Sequence, residues 1–128
     1  MVGFARERKE PQVGPDYSVI TSRDSALALV RKGELYALYL LPLEFGGTDL
    51  PENTVYVPRS TVEMKQSLDR NVIRPLIVSG TITRYAATPR YTGRSFVPIA
   101  IEVVASDPGN FTTTLNIWGD ASPAVEDA

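Results

Sequence analysis

The sequence contains no cysteine and no histidine among its 128 residues. Without cysteine the chain has no disulfide, thiol nucleophile or thiolate metal site. Without histidine it has no Ser-His-Asp or Cys-His catalytic arrangement and no histidine-ligated zinc. No apolar run reaches the roughly 20 residues that span a bilayer, and the N-terminus lacks the apolar core of a signal peptide. We therefore expect a non-catalytic cytoplasmic protein with no cofactor, no metal site and no membrane contact.

Hydrophobic residues make up 43% of the chain and charged residues 22%, which is typical of a soluble globular domain. The sequence predicts a single domain at residues 17–118. Residues 1–16 mix charges with glycine and proline and are predicted to form a flexible arm. Residues 119–128 contain Asp120, Glu126 and Asp127 but no basic residue, and we expect a flexible acidic tail.

The first half of this domain predicts one helix and two strands. A helix is expected over Arg23–Lys32, because Ser22 can cap its first turn and Gly33 can end it. Glu34–Leu41 is apolar at nearly every position, which favours a strand covered on both faces at the centre of a sheet. Thr54–Val57 predicts a second, short strand.

A second helix is predicted over Thr61–Val78. Ser60 and Glu63 have the spacing of a capping box at its start. Pro75 removes one backbone hydrogen bond and crowds the preceding turn, so we expect a kink there or a separate last turn.

The two faces of this second helix are predicted from its apolar spacing. The stripe expected to face the core consists of Met64, Leu68, Val72, Ile73, Leu76 and Ile77. Lys65 and Asp69 are expected to pair across one turn on the solvated side. The resulting expectation is a core with no ionisable cluster at the bottom of a cleft.

The last third of the domain predicts three strands in an antiparallel meander. They are Thr81–Thr88, Phe96–Ala105 and Asn110–Trp118, separated by turn signals at residues 88–93 and 107–109. The order α-β-β-α-β-β-β, with two helices and a mainly antiparallel sheet of about five strands, indicates a two-layer α+β sandwich.

Three acidic residues lie close together in the loop between the first two strands. Glu44, Asp49 and Glu52 flank a pair of glycines. Such carboxylates could divide acid and base work or bind Ca²⁺, but their spacing matches no EF-hand. We interpret the segment as a solvated acidic loop.

Basic residues are concentrated farther along the chain. Between positions 59 and 94 there are seven basic residues against two acidic ones, a local net charge of +5. Arg70 and Arg74 are one helical turn apart, and Arg90, Tyr91 and Arg94 lie in the predicted turn between two strands. Guanidinium groups with this spacing can hold phosphate or carboxylate.

Separate acidic and basic segments favour binding of a macromolecular partner as the leading function. That partner would be another protein, bound as an immunity or inhibitor protein binds its target, or a second copy paired through an edge strand. The alternative is a pocket, anion-binding or enzymatic, that uses the arginines with Tyr36, Tyr39, Tyr56 and Tyr85. Weak nucleic-acid binding ranks third, because the pI of about 5.1 opposes it.

Overall fold

A computed structural model describes residues 16–119 and has the predicted order α-β-β-α-β-β-β, in which the second α is one helical segment made of α2, a π-helical turn and α3. The elements are α1 (Arg23–Arg31), β1 (Tyr36–Tyr39), β2 (Thr54–Val57), α2 (Arg59–Leu68), a π-helical turn (Asp69–Ile73), α3 (Arg74–Val78), β3 (Ile82–Arg90), β4 (Ala100–Pro108) and β5 (Asn110–Asn116). The α+β class is therefore confirmed. Except for Asp16 and Gly119, the predicted arm and tail lie outside the described residues.

Helix α1 forms where its local signals predict it. The Ser22 side chain accepts a hydrogen bond from the Ser25 amide at 3.0 Å, and the Ser25 hydroxyl accepts one from the Ser22 amide at 3.1 Å. At the other end Gly33 adopts a φ of 77°, a left-handed conformation that glycine takes without steric cost. Ala26 lies fully buried in the middle of the helix.

The five strands form two antiparallel sheets, a pair β1-β2 and a meander β3-β4-β5. Strand β1 was predicted to lie at the centre of a sheet, but within the described residues β2 is its only hydrogen-bonded neighbour, with Tyr36 opposite Val57. Its apolar run has another cause, because Leu35 and Leu40 lie just outside the strand and are buried there.

The second helical segment begins at Arg59, with Pro58 as its N-cap residue and no side-chain cap. The capping box predicted at Ser60 is therefore wrong, because the Pro58 carbonyl already accepts the amide of Thr61 at 3.0 Å. The predicted interruption near Pro75 is confirmed. A π-helical turn precedes it, in which the Arg74 amide bonds to the Asp69 carbonyl five residues back.

The face that this segment buries differs from the prediction. Met64 and Ile77 are 42% and 37% exposed, whereas Lys65 and Asp69 are almost completely buried. The buried side chains of α2 and the π-helical turn are Thr61, Lys65, Asp69 and Ile73, spaced at four residues. The predicted solvated position of the Lys65–Asp69 pair is therefore wrong, because two opposite charges can be buried when they satisfy each other.

The meander presents one face to the core. The side chains of Ile101, Val103 and Ala105 on β4 are fully buried, while Val104 between them is 39% exposed. The strand predicted from Phe96 begins only at Ala100, because residues 95–99 bond instead to the segment before α1 and to the end of β3.

Trp118 is buried in the core, and its indole N–H donates to the Val97 carbonyl at 3.0 Å. Among residues 16–119 there is no helix with the length and apolar character to cross a membrane.

Candidate functional site

A cleft of about 510 Å³ opens between the second helical segment and the chain that follows β1. This first cleft is lined by Leu38, Tyr39, Pro42, Leu43, Glu44, Lys65, Gln66, Asp69, Arg70 and Arg74. Its volume is in the range of small-molecule sites, and its lining combines apolar side chains with a few charged ones. Of the sequence-predicted site residues, the structure brings Arg70, Arg74 and Glu44 together here.

Three ionisable side chains meet at the base of the first cleft. The Lys65 ammonium lies 2.7 Å from Asp69 Oδ2, and the Tyr85 hydroxyl donates to Asp69 Oδ1 at 2.9 Å. Lys65 Nζ also lies 5.4 Å from the centre of the Tyr85 ring, within range of a cation–π contact. Lys65 is 1% exposed and Asp69 is 6% exposed. The expectation that no ionisable cluster lies beneath a cleft is therefore wrong.

Burial shifts the two groups that face Asp69 in opposite directions. Desolvation lowers the pKa of the Lys65 ammonium, and the hydrogen bond and negative charge of Asp69 oppose this shift. Desolvation raises the pKa of the Tyr85 hydroxyl, and the charge of Asp69 and its hydrogen bond raise it further. Near neutral pH the cluster therefore holds a protonated tyrosine against a carboxylate that is bonded on both oxygens.

The sequence contained part of the signal for this cluster. Lys65 and Asp69 are four residues apart, which predicts the pair but not the side of the helix that carries it. Tyr85 is brought to them by the packing of β3, which no local pattern of residues indicates.

The two arginines of the first cleft differ in their partners. Arg74 forms an ion pair with Glu44, and both side chains are about half exposed. Arg70 is exposed and forms no ion pair with any other residue in the range 16–119. Within the described part of the chain, the guanidinium of Arg70 therefore has no acidic partner, whereas Arg74 is restrained by Glu44.

The loop that carries Glu44 is shaped by contacts that sequence reasoning missed. The Asn53 side chain accepts the Leu41 amide at 2.8 Å and donates to the Leu41 carbonyl at 2.9 Å. Gly47 lies against the same residue, and a Cβ atom there would be 1.8 Å from the Leu41 carbonyl oxygen. Glycine is therefore required at this position by close approach, whereas Gly46 beside it has a φ of 102°.

The other acidic residues of this loop do not join the site. Asp49 and Glu52 are exposed, and neither lines the first cleft. Within residues 16–119 no group of three carboxylates could hold a metal ion.

The remaining predicted residues are Arg90, the last residue of β3, and Tyr91 and Arg94, which follow it; none of the three lines either cleft. Arg90 lies 3.4 Å from Glu102 across the β3-β4 pair. Tyr91 is 49% exposed, although partial burial raises the pKa of its hydroxyl. Arg94 is exposed and forms no ion pair within the described part of the chain.

A second cleft of about 810 Å³ lies on the other side of Glu44. Its lining consists of Leu41, Glu44, Phe45, Ile77, Thr83, Arg84, Tyr85, Ala86, Val104 and Ser106. The Phe45 ring packs edge-on against the Tyr85 ring, with 6.0 Å between the centroids. Glu44 lines both clefts, and the Asp69–Tyr85 hydrogen bond joins a residue of the first to a residue of the second.

Comparison of the chain with protein-family models, with curated proteins and with solved structures found no match.

Proposed function

We propose that this protein binds a small organic anion in the first cleft, through a carboxylate or phosphate held by Arg70. The observation that carries the proposal is the guanidinium of Arg70, which has no ion-pair partner among residues 16–119 and lines the same cleft as the buried Lys65–Asp69 pair. Arginine presents its donors in a planar fork that matches two oxygens of such an anion.

The rest of the first cleft supports an anion with an organic body. Leu38, Pro42 and Leu43 supply apolar surface, and Tyr39 and Gln66 supply hydrogen-bonding groups. Charged lining residues comprise three cations and two anions, so the cleft has an excess of positive charge.

The proposal is for binding rather than catalysis. Lys65 is the only amine in the lining, and its ammonium is hydrogen-bonded to Asp69 and 1% exposed. A nucleophilic amine has to be deprotonated and within reach of its substrate. Burial lowers the pKa of Lys65, but its Nζ atom is held at 2.7 Å by Asp69 and the side chain is almost completely buried, so a substrate could not reach it. We therefore assign the cluster the role of a rigid charged floor beneath the ligand.

Ligand-observed NMR with three matched probes tests this proposal. Benzoate and phenyl phosphate carry the anion, and benzamide is the neutral control. We expect an anion to bind more tightly than benzamide, and Arg70→Gln to weaken its binding roughly tenfold or more, the value of a charge-assisted hydrogen bond. Benzoate and phenyl phosphate then distinguish a carboxylate ligand from a phosphate ligand.

The matched control is Arg94→Gln, which makes the same change of charge at an exposed position outside both clefts. It should leave binding of the anions unchanged. Equal losses in the two variants, or equal binding of benzamide, would contradict a site at Arg70.

Association with a protein partner is a second proposal, and one observation favours it. The second cleft borders the edge of β3 that no other strand in the range 16–119 covers, and such an edge can pair with another strand.

A further inference from the structure

Strand β3 is an edge strand with unpaired backbone groups. Among residues 16–119 it pairs with β4 alone, and every second residue of a strand directs its amide and carbonyl away from such a single neighbour. Within the described residues, positions 82–89 form no backbone hydrogen bond outside this pairing. The β3 edge therefore offers a row of donors and acceptors to another strand.

The second cleft runs along this edge. Thr83, Arg84, Tyr85 and Ala86 all line it, although successive side chains of a strand point to opposite faces of the sheet. Arg84 and Ala86 share one face of the sheet with their partners Ser106 and Val104 on β4, which also line the cleft, whereas Thr83 and Tyr85 point to the other face. Because its lining contains residues from both faces, the cleft extends from the Val104 face around the edge of β3. Phe45 also lines the cleft, and its ring packs against the Tyr85 ring.

The cleft has room for a short extended segment. With about 3.3 Å per residue, about 4.8 Å between strands and about 10 Å between packed layers, one extended residue fills about 160 Å³. A volume of about 810 Å³, part of which lies over Val104 and Ser106 of β4, therefore accommodates at most about five residues. The other edge strand of the meander, β5, contributes no residue to either cleft.

The basic side chains of β3 indicate the charge of the segment that would pair with its edge. Strand β3 contains Arg84 and Arg90 and no acidic residue. Arg90 contacts Glu102 and lies outside the cleft. Arg84 is therefore the basic residue of the cleft lining, which also contains Glu44. The Arg84 side chain is 75% exposed, and its contact with Asp107 is long at 3.3 Å. A second copy of β3 would place arginines near arginines, which is unfavourable across a strand pair, whereas acidic side chains would complement them.

We propose that an extended peptide segment of a partner protein, with alternating acidic and apolar side chains, adds to the β3 edge in the second cleft. Backbone hydrogen bonds would hold the peptide, as in other cases of strand addition. Its acidic side chains would lie on the Arg84 side, and its apolar side chains would contact Phe45 and Ile77. This inference does not depend on a ligand in the first cleft.

Synthetic peptides of about eight residues test the proposal, read out by amide shifts and hydrogen exchange of the full chain. The first peptide alternates valine with glutamate and the second valine with lysine. We expect the glutamate peptide to bind more tightly and to slow exchange at alternate amides of β3. Unchanged exchange along β3, or tighter binding of the lysine peptide, would overturn the proposal.

Backbone methylation of the glutamate peptide distinguishes strand pairing from side-chain contact. Two peptides are made, one N-methylated at every second residue and the other at the residues between. A paired strand directs only one of these two sets of amides towards β3, so one peptide should bind like the parent and the other should lose binding. Equal affinities would contradict strand addition.

Charge reversal in the protein tests the role of the edge arginine. Arg84→Glu should weaken the glutamate peptide roughly three- to tenfold and improve the lysine peptide. Arg94→Glu is the matched control and should change neither affinity. A dimer of the free protein that the glutamate peptide fails to dissociate would assign the edge to a second copy and overturn the proposal.

Discussion

The substitution Asp69→Asn measures how far the Lys65–Asp69 pair is buried. Asparagine keeps the shape of the side chain and can still accept the Tyr85 hydroxyl, but it removes the negative charge 2.7 Å from the Lys65 ammonium. Breaking a buried pair on one side costs about 3–5 kcal/mol, whereas an exposed pair at this spacing contributes about 0.3–0.5 kcal/mol. Because the free energy of unfolding of a native protein is about 5–15 kcal/mol, the loss expected for a buried pair is a large part of it, whereas the loss expected for an exposed pair is small.

Urea unfolding followed by the fluorescence of Trp118, the single tryptophan of the chain, gives the free energy of unfolding. Glu44→Gln is the matched control, because it makes the same chemical change in the half-exposed pair with Arg74 and should cost less than about 1 kcal/mol. Adding Lys65→Met to Asp69→Asn should restore most of the lost stability, since no unpaired charge then remains buried.

The loss should also depend on pH. Because the pKa of Lys65 is lowered in the folded protein, the unfolded chain holds the Lys65 proton more tightly just below pH 10.5. The contribution of Lys65 to the free energy of unfolding therefore rises with pH through that interval. The cost of Asp69→Asn should therefore shrink as the amine becomes neutral. A cost below about 1 kcal/mol at neutral pH, with no recovery on adding Lys65→Met, would refute the burial of the pair.

Three further substitutions test the packing around the site. Ile73→Ala should cost about 2–5 kcal/mol and Met64→Ala less than about 0.5 kcal/mol by urea unfolding; the reverse order would restore the predicted apolar stripe. Tyr85→Phe should lower the free energy of unfolding by about 1.5–3 kcal/mol at neutral pH. Because the pKa of Tyr85 is raised in the folded protein, the parent should lose up to about 1.4 kcal/mol of stability per pH unit above pH 10, and its difference from the variant should shrink there. A difference that stays constant with pH would contradict this. Gly47→Ala should cost on the order of 3 kcal/mol because its Cβ meets the Leu41 carbonyl, and an unchanged melting curve would contradict that contact.

The elements that sequence reasoning predicted best are those set by neighbouring residues. Ser22 caps α1 through a residue three positions away, and Gly33 ends it within one turn. The interruption at Pro75 likewise depends on the helix around it. Strand alternation located β3, β4 and β5, but the division into two sheets depends on contacts between distant parts of the chain.

The candidate site was only partly predictable for the same reason. Arg70 and Arg74 were predicted to lie one helical turn apart, and in the structure both line the first cleft. The pairing of Arg74 with Glu44 joins positions 30 residues apart, and no spacing rule predicts it. Lys65 was predicted to lie on the solvated side of the helix because hydropathy patterns count every lysine as exposed. A lysine that is paired with a carboxylate can nevertheless be buried in the core.

The most direct test of the proposed site is a map of backbone amide shifts during titration with benzoate. The account predicts that the largest shifts fall on residues 39–44 and 65–70, which border the first cleft, and that Arg70→Gln removes them. Shifts that instead fall on Arg90 and Arg94, or that are spread over the exposed arginines in proportion to their charge, would contradict a ligand site in this cleft.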